Sequence, residues 1–174
     1  MIIHKDFKLI PLRYEDRGII MKMRNEQIYH LRQAELLTAE KQENYFHQVV
    51  LKLYEQEKPN QILFSFLKND EVVGYGGLVH INWVDKHAEI SFIMKTELEA
   101  ENFKTFWLSH LQMIEQVAFK DLGFHKIFTY AFDVRPHLYP VLEQAGFNYE
   151  ATLKEHCFFQ GKFINVIIHS KLNK

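Results

Sequence analysis

Between Ile90 and Phe132 the chain reads as a strand, a long helix and a second strand, with no hairpin turn among them. No other feature limits the fold as much. Strands joined through a helix cannot be hairpin partners. They lie parallel, through a crossover that is right-handed in nearly all proteins. The first strand is "HAEISFIMK" (His87 to Lys95), in which Glu89, Ser91 and Ile93 share one face and Ile90, Phe92 and Met94 the other. The helix carries the stripe Phe103, Trp107, Leu111, Ile114, Val117, Ala118 and Leu122, and Gly123 is placed to end it. "KIFTYAF" (Lys126 to Phe132) is the second strand. Where such a parallel pair splays at its carboxyl end, a ligand slot is expected.

The rest of the chain builds a sheet around this unit. "FKLIPL" (Phe7 to Leu12) reads as an opening strand, and Glu15 and Asp16 favour the start of a helix with Ile19, Ile20 and Met23 on its apolar side. Thr38 is an N-cap for a longer helix, Ala39 to about Glu57, which Lys58-Pro59-Asn60 stops. "QILFSFL" and "VVGYGGLVHI" are strands joined by the hairpin signal Lys68-Asn69-Asp70-Glu71. Gly74, Gly76 and Gly77 in the second mark a bulge or a close backbone approach. Pro136 suits the first turn of a helix reaching about Ala145, and a final hairpin turns at Gln160-Gly161-Lys162. The order is β-α-α-β-β-β-α-β-α-β-β. This predicts an α/β (α+β) fold: a largely antiparallel sheet with one parallel splayed pair, flanked by helices, in a single domain over residues 1–174.

Net charge of −1 gives no basic footprint for nucleic acid, and no apolar run is long enough to span a bilayer. A single cysteine, Cys157, allows no intrachain disulfide and fits a reducing, cytoplasmic setting. His80, His87, His156 and Cys157 do not form a metal-ligand spacing, so no metal is expected. Glu89 on the central strand is a candidate base if burial raises its pKa. Tyr139, before "QAGF", is a candidate proton donor. Arg135, after the second strand of the crossover, is placed to bind a phosphate or to pair with Asp133. Arg24, next to Asn25, is placed to bind an acceptor phosphate or to cap carbonyls.

Several segments taken in order resemble the GNAT superfamily of N-acyltransferases over nearly the whole chain. "GLVHINWVDKHAEISFIM" resembles its hairpin and central strand, and "AFKDLGFHKIFTYAF" the end of its cofactor helix and next strand. "VLEQAGFNYEATLKEHCFFQGKFINVIIHSKL" resembles its closing helix and hairpin. "KMRNEQIYHLRQAELLTAEKQENYF" resembles the acceptor-side helices of a branch that acetylates amino-sugars or protein N-termini. The resemblance implies acetyl-CoA as co-substrate and direct attack by a primary amine, with Glu89 as base or as the residue that positions a base water. It implies that the backbone of Phe92, Ile93, Met94 and Lys95 holds pantetheine. Asn102, Phe103, Lys104, Thr105 and Phe106 would form the pyrophosphate loop, with Phe132 and Arg135 nearby. Arg24, Asn25 and Trp83 fall on the acceptor side.

The family pattern at the pyrophosphate loop is Gln or Arg, two residues, Gly, one residue, then Gly or Ala. Here Asn102, Thr105 and Trp107 stand at its defining positions. Arg135 and Leu142 stand near the family's usual Asn and Tyr. The implied acceptor is a small-molecule amine, such as a nucleotide-linked amino-sugar, and a homodimer is one assembly left open. A non-catalytic binding module and a protein N-terminal acetyltransferase stand as alternatives.

Overall fold

The computed structural model describes all 174 residues. Strands β1 (Ile2–His4) and β2 (Phe7–Pro11) lead into helix α1 (Arg17–Glu26). Helix α2 (Ala39–Tyr45) continues through a wider π turn into α3 (Leu51–Leu53). Strands β3 (Ile62–Lys68), β4 (Glu71–Asn82) and β5 (His87–Met94) follow, then helix α4 (Thr96–Glu115), which also ends in a π turn. Strand β6 (Lys126–Phe132), helix α5 (Tyr139–Gln144) and strands β7 (Asn148–Phe159) and β8 (Lys162–Leu172) complete the chain. All eight strands form one sheet in the order β1-β2-β3-β4-β5-β6-β8-β7. Every pairing is antiparallel except β5 with β6.

The local chemistry accounts for these elements. Asn69 and Asp70 both take positive φ, as the tight β3–β4 turn requires. Thr38 caps α2 by accepting from the Lys41 N–H. A Cβ on Gly76 would lie 2.1 Å from the Ser91 carbonyl oxygen, so only glycine lets β4 run this close to β5. Two features depart from the sequence reading. The helix that opens at Ala39 stops at Leu53 rather than near Glu57, and Ile2–His4 adds an edge strand too short to leave a pattern.

Side chains pack on both faces of the sheet. On the α4 face, Phe66 is fully buried, stacked on Phe7 and edge-on to Phe92 and Phe106. On the α1–α2 face, Ile20, Met23, Phe46 and Val50 close over Leu63, Tyr75 and Ile93. His110 of α4 is fully buried and stacks on Phe92 with ring centroids 4.1 Å apart. Burial pushes its pKa down to about 3, against a weak opposing pull from the Ser91 backbone, whose alignment falls short of a hydrogen bond.

A histidine held neutral in the folded state takes up its proton only on unfolding. Stability is therefore lost as pH falls from the unfolded value near 6.5 toward 3, at about 1.4 kcal/mol per pH unit. His110→Phe, which keeps the stacked ring, is expected to flatten the fall in melting temperature below pH 6.5. Melting curves of both proteins from pH 7 to 4 check this.

Candidate active site

The parallel pairing of β5 with β6 covers His87 with Lys126, Ala88 with Ile127 and Glu89 with Phe128, and stops there. Beyond Glu89, β5 stays paired to β4, and β6 to β8. The two strands part, and a cavity of about 440 Å³ opens between Ile90–Ile93 on one wall and Thr129–Phe132 on the other. Trp107 and Leu138 reach it from the helical layer.

Glu89 sits at the apex of this slot and is 5% exposed. Its carboxylate pairs with the Arg32 guanidinium and lies 2.8 Å from His80 Nδ1. His80 reaches it because the β4–β5 register shifts between Val79 and Asn82, where His80 takes a left-handed φ of 47°. Arg32 lies on the exposed segment between α1 and α2, its guanidinium 4.4 Å above the Tyr130 ring. Tyr130 lines the slot, with its hydroxyl 3.3 Å from Cys157 Sγ. Burial, with Cys157 adding to it, pushes the Tyr130 phenol up to about 12.

The other end of the slot is built from charges. Arg135 is buried, donates to Glu99 at 2.9 Å and to the His30 ring at 2.8 Å, and lies over Phe103. Burial and the Arg135 charge hold His30 near pKa 3, so it accepts from Arg135 as the neutral imidazole. Helix α4 begins at Thr96, directly after Lys95, with Glu97 and Glu99 in its first turn. Fully buried Gln27 donates to the Met94 carbonyl at 2.6 Å, and the Lys95 N–H bonds Val73 of β4.

The slot thus gathers Arg24, Glu89, Phe92, Ile93, Phe132 and Arg135 from the residues singled out in the sequence. The others lie elsewhere. Met94 is buried in the main core and its carbonyl is taken by Gln27, while the Lys95 N–H points the other way, to Val73 of β4, so the β5 edge that lines the slot is Ile90–Ile93. Asn102, Phe103, Lys104, Thr105 and Phe106 form no loop. They lie inside α4, where their N–H groups are past the unpaired first turn. Within that stretch, Asn102 donates to the Leu98 carbonyl and Phe106 is core. Tyr139 donates to Asp133 at 2.7 Å and stacks on His169, outside the slot lining. Its burial and Asp133 push its pKa up. Asn25 holds the backbone of Leu37, and Trp83 donates to the Pro59 carbonyl and packs on Phe124.

A family model described as an acetyltransferase (GNAT) domain matches residues 11–168. The chain belongs to the GNAT acetyltransferase family. Among curated proteins, none matches it by sequence. A Vibrio cholerae spermidine N-acetyltransferase in complex with CoA and spermine shares the fold at a TM-score of 0.83, with 20% identity, 98% of this chain and 97% of that one covered. A dodecameric structure of spermidine N-acetyltransferase from the same organism aligns at 0.77, with 22% identity and 98% and 95% covered. At this identity the likeness carries the fold.

As a GNAT member the chain is an acetyl-CoA-dependent N-acetyltransferase. The slot fits the acetyl-pantetheine end of that co-substrate, since Ile90–Ile93 offer a strand edge that no other strand pairs. At the end of the slot near α4 the cation is Arg135, already paired to Glu99, and the first turn of α4 carries Glu97 and Glu99. Sequence reasoning missed Arg32 and His30, and considered His80 only as a metal ligand. Arg32 and His30 stand in no periodic pattern, and only the fold brings the three to Glu89 and Arg135.

Proposed function

We propose that the chain moves an acetyl group from acetyl-CoA to the primary amine of a small molecule by direct attack at the apex of the β5–β6 slot. One observation carries this reading: Glu89, a buried carboxylate, stands at the last paired rung, where the unpaired strand edge begins. Pantetheine lying along Ile90–Ile93 would bring its thioester to that rung. The amine nitrogen bonds to the carbonyl carbon, the carbon–sulfur bond breaks, and the amine proton passes to Glu89, directly or through a water. Arg32 is on an exposed segment, so an incoming ammonium is able to take its place at Glu89. Tyr130, rather than Tyr139, is the phenol near the departing sulfur.

A protein N-terminal acetyltransferase calls for an acidic, peptide-wide groove. The lining here holds Arg24, Arg32 and Arg135 with Glu89 as its carboxylate, which supports a small acceptor. Phe158 and Phe163 meet across the β7–β8 hairpin with ring centroids 5.1 Å apart and are 67% and 63% exposed, which supports a homodimer through this hairpin. No helix is long and apolar enough to cross a membrane, and the free Cys157 supports a cytoplasmic setting.

Thermal unfolding with acetyl-CoA, free CoA and ATP tests the slot. Acetyl-CoA and CoA at a hundred times their dissociation constant are expected to stabilise by about 2.7 kcal/mol, a rise of roughly 5–10 °C. No shift with either, or an equal shift with ATP, overturns the assignment.

A further inference from the structure

Three guanidinium groups line the slot, and two of them are neutralised in place. Arg32 pairs with Glu89, and Arg135 pairs with Glu99. Arg24 has no carboxylate partner. Its Nε donates to the Gln33 side chain at 3.0 Å and its Nη1 to the Tyr75 hydroxyl at 2.7 Å, both neutral groups. A guanidinium keeps its charge at any working pH, and holding one half-buried without a counter-ion is costly unless an anion arrives. Arg24 sits on α1 with its polar end held between the α1–α2 segment and β4, so the charge is fixed rather than free to swing into solvent.

Its position relative to Glu89 follows from the register. Tyr75, which holds Arg24, pairs with Ile93, and Val79 pairs with Glu89, on the same face of the sheet. Four residues of strand separate the two levels, about 13 Å along the α1–α2 face of the sheet, beside the β5 edge that pantetheine would take. A molecule with its amine at Glu89 and an anionic group at the Arg24 level therefore spans on the order of 10 Å. A polyamine has no group for Arg24 and meets like charge there.

We infer that Arg24 is an anion-binding specificity residue, and that the acceptor is a primary amine carrying a carboxylate or phosphate on the side of the molecule away from the amine. This rests on the acetyl-transfer reading above. CoA phosphates have the same chemistry, and the two sources separate by which Michaelis constant responds.

The test uses matched acceptors that differ only in the terminal charge: aminohexanoate and aminooctanoate against aminohexanol and aminooctanol, with spermidine as the polycation. The intact protein is expected to favour each amino acid over its alcohol by at least about tenfold in kcat/KM, the scale of one charged contact, with spermidine poorest. Arg24→Met keeps the alkyl stem. It is expected to erase the preference through acceptor KM, with KM for acetyl-CoA moving far less than acceptor KM, and Arg24→Lys is expected to restore part of it. Calorimetric binding of aminooctanoate and aminooctanol to both proteins gives the same comparison without turnover. If no amine is acetylated but aminooctanoate binds in an Arg24-dependent way, the anion site stands and the reaction assigned to the slot falls. Equal binding of acid and alcohol, a preference for spermidine, or a change confined to acetyl-CoA KM overturns the inference.

Discussion

Glu89→Gln is expected to lower kcat by about 10²–10⁴, the range associated with removing a positioned general base. Glutamine fills the same volume, accepts from Arg32 through its carbonyl oxygen and turns its NH2 to His80 Nδ1, which accepts in the neutral tautomer protonated at Nε2, so the strand and slot keep their shape. Folding should change little, because Arg32 is 42% exposed in its side chain and an exposed partner released from an ion pair returns to water at small cost. Acetyl-CoA binding should also persist, since pantetheine would lie on Ile90–Ile93 backbone beyond the carboxylate. The decisive measurement is kcat for both proteins alongside an acetyl-CoA titration. The loss should sit in kcat, with the acetyl-CoA dissociation constant unchanged. Unchanged turnover in the variant would remove Glu89 from the chemistry.

The largest expected effect on stability is that of Phe66→Ala. Phe66 is 0% exposed, stacks on Phe7 at 5.1 Å and meets Phe92, Phe106 and His110 edge-on at 5.2, 5.8 and 5.9 Å. It joins β2, β3, β5 and α4 at one point. Truncation leaves a ring-sized void with rigid rings around it, and large-to-small changes of this kind cost about 3–5 kcal/mol. For a chain of this length that is a fall of roughly 6–20 °C in melting temperature, read by calorimetry. Phe66→Leu should cost much less, because an aliphatic side chain fills most of the void. Since Phe92 leans on Phe66, the alanine variant should also loosen the β5 wall of the slot and raise KM for acetyl-CoA.

Much of the architecture was legible before any coordinates. The β3–β4 hairpin announced itself through Asn69 and Asp70, and the close approach of β4 to β5 through Gly74 and Gly76. The parallel crossover followed from a helix with no turn signal before it. Glu89 was legible because strand alternation put a carboxylate on the same face as Ile93. What failed was the junction after β5. Placing five residues of α4 in a phosphate loop assumed a loop where the helix starts at Thr96, and sequence alone gave no sign that buried Gln27 would take the Met94 carbonyl. Tyr139 was misplaced for a related reason. Its position in the chain was near that of a family tyrosine, but Asp133, in the turn after β6, claims its hydroxyl. Arg32 could not be found at all, since an exposed segment between helices has no period to betray which side chain turns inward.

The early end of the β5–β6 pairing has a consequence for how the molecule holds together. The antiparallel meander β1 to β5 and the three-stranded group β6, β8, β7 are each continuous sheets, and they are joined edge to edge by only three rungs. A pantetheine chain with its amides along Ile90–Ile93 would act as a removable strand, supplying rungs that the polypeptide leaves unmade. In that arrangement the co-substrate is also a temporary part of the sheet, and the two halves are most firmly coupled while a pantetheine chain, acetylated or free, lies in the slot.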